Sequence, residues 1–246
     1  MNAIERQKKI LDLLANKEFI SVEELAGTLG ASLATIRRDL TAMEQEKTVI
    51  RYRGGVIPAQ KQIEKAMQIE VRMDENRQEK EKIARYAASL IEDGEYIYID
   101  SSSTTYLIPG YITATDVTVV TNAVFLIPEL LRNGIRTFVL GGFIDANGNY
   151  VMGEMANEQI KSMNFSKSFI GTYAVEENRG LTTYEISEAD LKKLIIQHSS
   201  EIYVLADHTK FSKKGFIIYA TPDQATIITD AEPVNPGAYP SLVVAE

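Results

Sequence analysis

The sequence predicts an α/β protein, a mostly parallel sheet covered on both sides, preceded by a small helical unit. Two observations carry this reading. The apolar spacing is helical up to Pro58, and from Glu95 onward short β-branched runs alternate with helical segments. A third places the junction: residues 59–82 are highly charged and polar with few turn residues, the composition of a linker passing into a helix that ends near Glu92-Asp93-Gly94. The expected division is a front unit over 1–57, a linker over 58–76 and an α/β domain over 77–246.

Composition bounds the chemistry. With 246 residues, 45% of them apolar and 24% charged, the chain can bury a substantial core, which excludes collagen-like, disordered and small disulfide-scaffold classes. It has no cysteine, so no disulfide, thiolate metal site or cysteine nucleophile, and its two histidines, His198 and His208, exclude a histidine-rich zinc site. No metal, cofactor or membrane partner is expected. No apolar run approaches the ~18 residues needed to span a bilayer, and no apolar signal core follows the N-terminal charges, so a cytoplasmic protein is expected. The net charge is −8, with nine Lys/Arg against eight Asp/Glu in residues 1–58. The acidic whole argues against nucleic acid, but only a docking face must be basic, and the front unit is near neutral.

The front unit reads element by element. Ile4, Ile10, Leu11, Leu13 and Leu14 form a first helix, broken at Asn16-Lys17-Glu18. Ser21 stands three before Glu24, the capping-box spacing, and Val22, Leu25, Ala26 and Leu29 follow as an amphipathic stripe ending at Gly30. Ser32 caps another helix, Leu33 to about Glu46. At ~100° per residue, Leu33, Ile36, Leu40 and Met43 share one arc, with Arg38 almost opposite and Ala34, Thr35, Thr41, Ala42 and Gln45 flanking it. Small and polar residues around one arginine suit a helix entering the major groove, with Arg37 placed to reach a phosphate. In the stretch Thr48 to Ile57 two short β-runs flank Gly54-Gly55, a hairpin whose Arg51 and Arg53 share a face, as in a basic wing. A charged helix face alone is ordinarily just solvated; the capped short helix, the tight turn into a second capped helix and the basic hairpin together predict a winged helix-turn-helix.

These residues resemble a known family. Glu5-Arg6, Ile10-Leu11, Val22-Glu23-Glu24-Leu25-Ala26, Ser32, Thr35-Ile36-Arg37-Arg38-Asp39-Leu40, Glu44 and Arg51-Tyr52-Arg53-Gly54-Gly55 look like the DNA-binding domain of DeoR-type bacterial transcription regulators. The candidate DNA-contacting residues are Ser32, Ala34, Thr35, Arg37, Arg38, Thr41, Arg51 and Arg53, and the implied partner is double-stranded operator DNA.

In the α/β domain the strand candidates are Tyr96–Asp100, Val117–Thr121, Thr137–Gly141, Ser168–Gly171, Ile202–Asp207 and Thr226–Asp230; the tail beyond, with three prolines, reads as irregular. Ligands of open α/β sheets gather at the carboxyl ends of strands. There, Asp100 is followed by five hydroxyls, Ser101, Ser102, Ser103, Thr104 and Thr105, which are expected to open a helix and cradle an anion such as phosphate. A single N-cap would need only one hydroxyl. Thr121 and Asn122 offer a hydroxyl and an amide, Gly141 and Gly142 let backbone approach a ligand, and Asp207 and Lys210 offer a polyol acceptor and a cation. Gly180–Thr183 and Glu188 are candidates for a facing lip. His208 reads as a loop residue and His198 as structural. No dinucleotide or P-loop fingerprint is present.

Residues 76–230 also resemble the DeoR-type sensor domain, similar in fold to ribose-5-phosphate isomerase, through Asp100–Thr105, Val119–Asn122, Leu140-Gly141-Gly142, Gly153, Phe169-Ile170-Gly171, Gly180-Leu181-Thr182, Asp207–Phe211 and Thr229-Asp230. Ser102 departs from it, standing where that family often has Gly. The resemblance implies a repressor of carbohydrate metabolism, a homo-oligomer (dimer or tetramer), whose operator affinity is altered by a phosphorylated sugar effector bound by Asp100–Thr105, Asn122 and Lys210. It implies no enzyme. The alternative is a sugar-phosphate isomerase with a fused front module, with Glu188, Asp207 and Lys210 as acid–base candidates.

Overall fold

The structure, a computed structural model, describes residues 2–15, 17, 19–46, 48–52, 54–58, 69–145 and 150–246. The chain divides into two compact units, Met1–Gln68 and Ile69–Glu246. Most of the linker expected over 58–76 lies outside the described residues.

The first unit has α1 (Ala3–Ala15), α2 (Val22–Leu29), α3 (Leu33–Gln45) and a three-stranded antiparallel sheet in the order β1 (Ile20–Ser21, between α1 and α2), β3 (Gly55–Pro58), β2 (Val49–Tyr52). The helix starts follow the caps expected of the sequence. The Ser21 hydroxyl accepts from the Glu24 N–H at 3.0 Å, and the Ser32 hydroxyl from the Thr35 N–H at 3.2 Å. Gly30 turns out of α2 at φ 60°. Ile10, Leu14, Leu25, Ile36, Leu40, Met43, Val49 and Val56 make one buried core. Leu33, expected at the centre of the apolar arc, is instead 42% exposed, because the first turn of α3 overhangs that core.

The two hairpin glycines do different jobs. Gly54 takes the positive φ (81°) of the turn; Gly55 has no positive φ. It lies in β3 against β1, where a Cβ would sit 2.2 Å from the Phe19 ring and 2.6 Å from the Ile20 carbonyl oxygen. Strand β1, which the sequence reading did not anticipate, is the reason: two residues are too few to show a period.

The second unit holds, among the described residues, a seven-stranded sheet whose neighbouring strands all pair in parallel. Its order is β15 (Leu242–Val244), β14 (Thr226–Thr229), β12 (Ser199–Leu205), β9 (Phe165–Gly171), β4 (Tyr96–Ile99), β5 (Thr118–Thr121), β6 (Arg136–Val139). Its central strands are near-continuous apolar runs because both faces are covered. One face buries Ile83, Ala84, Ala87 and Ala88 of α5 (Arg77–Ser89) and Leu130 of α6 (Ile127–Arg132). The other buries Ala156 and Ile160 of α7 (Glu154–Lys161) and Ala189, Leu191 and Ile195 of α8 (Ile186–Gln197). A short helix α4 (Ile69–Asp74) precedes α5, and Asn76 between them is left-handed at φ 49°. The single helix expected up to about residue 92 is therefore an elbow of two. The tail is not all irregular either: β15 adds the last parallel strand.

Two smaller sheets flank the carboxyl ends. A hairpin joins β7 (Phe143–Ile144) to β8 (Val151–Met152), and an antiparallel sheet has the order β10 (Ala174–Glu176), β11 (Gly180–Thr183), β13 (Ile217–Ala220).

Gly55→Ala is expected to destabilise the first unit by about 1–3 kcal/mol through this overpacking. Hydrogen exchange should show lost amide protection in α3 with the strands of the second unit unchanged. Unaltered protection in α3 would mean that the β1–β3 contact gives way freely.

Candidate functional site

In the first unit, α3 presents an outward face of Ser32, Ala34, Arg37, Arg38 and Thr41, all exposed, with Thr35 half-buried. Two ties aim that face. Asp39, on the opposite side of the helix and 5% exposed, is held by the Arg6 guanidinium of α1, whose Nε and Nη2 (3.0 Å) take its two carboxylate oxygens. This fork–fork pair raises the Arg6 pKa, chiefly through its hydrogen bonds to Asp39. On the solvent side, Arg51 of β2 donates to the Thr41 hydroxyl at 2.8 Å, and Thr41 in turn donates to the Arg37 carbonyl at 2.8 Å. The wing is thereby fastened to the helix. Arg37 and Arg38 make no side-chain bond among the described residues. Arg53 lies outside the described residues.

In the second unit, strands β4, β5 and β6 extend from the centre in one direction and β9, β12, β14 and β15 in the other. The order reverses between β4 and β9, and the crevice at that switch is where an open sheet offers a ligand site. Asp100 ends β4 there, 4% exposed. Its Oδ2 accepts from the Gly171 N–H, at the end of β9, at 2.7 Å; its Oδ1 accepts from the Ser102 N–H at 3.1 Å and the Thr105 hydroxyl at 2.9 Å.

The five-hydroxyl run therefore splits in two. Ser102 and Thr105 bond each other at 2.9 Å and close the loop back onto Asp100. The side chains of Ser101, Ser103 and Thr104 form no hydrogen bond among the described residues. The run leads into a 3-10 turn, Thr105–Tyr111, rather than the α-helix expected. Pro109 lies within it and has no N–H to continue a ladder.

Other expected site residues are placed as follows. The Thr121 hydroxyl accepts from the Ala123 N–H at 3.0 Å, and Asn122, 3% exposed, accepts from the Tyr98 hydroxyl at 2.9 Å and donates to the Val151 carbonyl at 3.4 Å. Asn122 thereby holds the β5 end to β8, while Thr121 closes the local turn onto Ala123. The Gly141 N–H donates to Gln159 at 2.9 Å, and at Gly142 (φ 152°) a Cβ would lie 2.7 Å from the Met152 carbonyl oxygen. The close approach is to β8 at Gly142 and to Gln159 of α7 at Gly141.

Sequence reasoning missed Lys192. It lies on α8, 5% exposed, with Nζ 2.8 Å from Glu188, 3.4 Å from Asp100 Oδ2 and 2.5 Å from the Gly171 carbonyl oxygen. Burial pushes its pKa down, but Glu188 and Asp100 more than reverse this and hold it raised. Burial likewise pushes Glu188 up, and Lys192 with the Thr183 hydroxyl brings it net below its usual range. The lip expected at Gly180–Thr183 and Glu188 is thus joined to Asp100 through one buried ammonium. A lysine three residues from Ala189 and from Ile195, on their stripe, was the available signal.

Asp207 stands beyond the end of β12, 1% exposed. Its Oδ1 accepts from the Thr209 N–H at 3.0 Å, from the Thr209 hydroxyl, and from Asn76 at 3.5 Å. Its Oδ2 has no hydrogen-bond partner, the Lys210 ammonium being 3.9 Å away. Burial pushes Asp207 up, but Lys210 and the Thr209 bonds hold it below its usual value. Lys210 and Lys80 act on it, and Lys213 and Arg72 in turn lie close enough for their charges to act on those two lysines, as does the Glu75 carboxylate on Lys80. Burial lowers the Lys210 pKa to about 8; Asp207 opposes the shift, and Lys213, Lys80 and Arg72 add to it. Lys80, 3% exposed, is also lowered by burial, and its ammonium donates to the Arg72 carbonyl. Neither Lys80 nor Arg72 was anticipated, although Lys80 stands on the Ile83, Ala84 and Ala87 stripe of α5. His208 bonds Asp230 at 2.8 Å and His198 the Met163 carbonyl at 3.0 Å, both as loop and framework residues.

Among the described residues no cluster of His, Cys, Asp or Glu is placed to hold a metal ion, and no helix is long and apolar enough to cross a membrane.

Comparison with known proteins agrees with both halves. Residues 6–62 match the DeoR-like helix-turn-helix domain and residues 75–231 the DeoR C terminal sensor domain. The chain is 34% identical over 244 residues to the HTH-type transcriptional regulator FruR of Bacillus subtilis, covering 98% of this chain and 97% of that protein. It is 33% identical to the transcriptional repressor GlcR of the same organism, covering 93% and 89%. It is 30% identical to the lactose phosphotransferase system repressor of Staphylococcus aureus, covering 93% and 92%. Among solved structures, ribose 5-phosphate isomerase A from Methanocaldococcus jannaschii overlaps 54% of this chain and 53% of its own at 19% identity, with a TM-score of 0.39. The helix-turn-helix front end, the parallel α/β domain behind it and full-length similarity to HTH-type regulators together show that this chain belongs to the DeoR family of transcription regulators.

Proposed function

We propose that the protein is a cytoplasmic repressor of a carbohydrate-metabolism operon whose operator affinity changes when a phosphorylated sugar binds the second unit. The observation that carries this is the charge balance about Asp207: Lys210, Lys80, Lys213 and Arg72 outnumber Asp207 and Glu75, and Asp207 keeps a buried oxygen without a hydrogen-bond donor. Such a place suits a ligand that brings an anionic group to Lys80, Lys210 and Arg72 and a hydroxyl to Asp207 Oδ2. The hydroxyls of Ser101, Ser103 and Thr104 are free to add bonds.

The residues argue for binding. Of the acid–base candidates, Glu188 is engaged by Lys192 and Thr183, and Asp207 is held ionised. Coupling to the front unit has a candidate path along the chain. The α4–α5 elbow, the first described segment after residue 58, is tied to this site by Asn76 on Asp207 and by Lys80 on the Arg72 carbonyl. An anion drawing on Lys80 competes with that tie, and a coupling of ~1–3 kcal/mol is enough for a useful switch.

On DNA, Arg38 and Arg37 with Ala34, Thr35 and Thr41 face base edges and phosphates, Ser32 caps the helix, and Arg51 with Arg53 supplies the wing.

Arg38→Ala is expected to abolish sequence-preferring binding to operator DNA in a salt-controlled gel shift, a loss of about 1–3 kcal/mol in discrimination, with an unchanged melting temperature. An early melt would show instead that Arg38 supports the fold. In a thermal-shift screen, phosphorylated sugars should stabilise the protein where their unphosphorylated parents do not, and Lys210→Met should remove the shift. A shift that survives in Lys210→Met places the anion elsewhere.

The pH dependence follows from Lys210. An anion favours the protonated lysine, so binding takes up a proton where the empty site has lost it. Affinity for a phosphorylated sugar should therefore fall as pH rises above about 8, by up to roughly tenfold per unit. A flat profile through that window would show that Lys210 does not meet the ligand.

A further inference from the structure

By residue type, Arg51 is a phosphate contact of the wing and Thr41 a hydroxyl for a base edge or a phosphate. The structure spends both side chains elsewhere. Strand β2 pairs with β3 alone among the described strands, and its other edge packs against α3. Four hydrogen bonds make that junction. Just before the strand, the Thr48 N–H and hydroxyl both donate to the Met43 carbonyl, at 3.0 and 2.9 Å. Within it, the Arg51 N–H donates to the Glu44 carboxylate at 3.4 Å, and Arg51 Nη1 to the Thr41 hydroxyl at 2.8 Å. A threonine hydroxyl has one hydrogen, and Thr41 gives it to the Arg37 carbonyl at 2.8 Å. While that bond stands, Thr41 has no proton to offer an acceptor on a base. Arg37, Thr41 and Glu44 are four and three residues apart, so they share one exposed stripe of α3. The Arg51 guanidinium is therefore laid against the outward side of the helix, one turn beyond Arg37.

We infer that Arg51 and Thr41 are positioning residues: their bond fixes the angle between the wing and the base-reading helix, and through it how sharply Arg38 distinguishes one sequence from another. This rests on the DNA-binding reading above. Three points support it. The hairpin of β2 and β3 is two four-residue strands, too little to hold its own direction, and on the far side β3 meets only the two residues of β1. The wing and α3 touch different parts of a duplex, so a small rotation between them moves the Arg38 fork off a base edge; a reading group stays within about 0.5 Å of its place only where supporting bonds lock it. Finally, the Arg51–Thr41 bond is charge-assisted and has neighbouring ties on either side, at Thr48 and Glu44, whereas Arg37 and Arg38 make no side-chain bond among the described residues. Neutralising phosphate falls to such unbonded cations.

The test is a double-mutant cycle on the full-length protein, with Thr41→Val, Arg51→Met and the two combined. Each is titrated against a duplex that the wild type has selected from random sequence, and against a scrambled duplex of the same composition, between about 50 and 200 mM salt. Each single variant should lose about three- to tenfold in the ratio of the two affinities. The combined variant should lose no more than the worse of them, because one bond is removed either way. The salt dependence and the melting temperature should stay as in the wild type, and Thr41→Ser, which keeps the hydroxyl, should discriminate as the wild type does. If Thr41→Val melts early, Thr41→Ala is read the same way. Arg51→Met that weakens both duplexes alike and lowers the salt slope by about 0.9 makes Arg51 a phosphate contact and overturns the inference. So do losses that add in the combined variant, or Thr41→Val that discriminates fully. A wild type that selects no sequence removes the DNA-binding reading itself, and this inference with it.

Discussion

Everything at the crevice between β4 and β9 depends on one buried ammonium. Lys192 touches a carboxylate from the end of β4, a carbonyl from the end of β9 and a carboxylate on its own helix, and that second carboxylate holds the Thr183 hydroxyl of β11. Without the cation, Asp100 and Glu188 would be two carboxylates facing each other in a buried setting. Removing one partner from such a group typically costs about 3–5 kcal/mol. The hydroxyl loop is in turn shaped by Asp100, through Ser102 and Thr105. The geometry of the hydroxyl loop thus rests on this charge balance.

Saturation of charge separates framework from site throughout the molecule. Lys192 has its oxygens within hydrogen-bonding reach, and Arg6 has both oxygens of Asp39. These cations fix helices in place. Lys210 stands 3.9 Å from a carboxylate oxygen that has no donor, and its ammonium is easily deprotonated because burial, with the neighbouring Lys213, Lys80 and Arg72 adding to it, disfavours its charge. Arg37 and Arg38 point away from the core that Asp39 anchors. In the first unit the satisfied Arg6–Asp39 pair on one side of α3 leaves Arg37 and Arg38 exposed on the other. Pre-organisation of this kind lowers the ordering cost of binding.

Much of this was legible in residue order. The caps at Ser21 and Ser32, the outward Arg38, the paired runs about Gly54 and six of the seven parallel strands follow from local chemistry: a hydroxyl three before an N–H, a 3.6 or continuous apolar pattern, a glycine free to take positive φ. The resemblance carried by Thr35–Leu40 and Asp207–Lys210 added the family, because those residues stand in a fixed local order. Less legible were the pieces too short to have a period, such as β1 and β7, and β15 in a proline-rich tail that forms a strand only because β14 offers an edge.

The sequence by itself determined the longer helices, six of the seven parallel strands and which stretches carry hydroxyls and cations, because capping and periodicity act over a few neighbouring residues. Tertiary structure alone decided which of those groups are consumed and which are left over. Thr105 and Asp100 look alike ready for a ligand until strand order brings Gly171 and Lys192 onto Asp100. Lys80, a surface residue by type, becomes a buried cation near Asp207, 127 positions away. Satisfaction of a polar group depends on what stands within about 3 Å of it, and in a parallel sheet those neighbours come from distant strands.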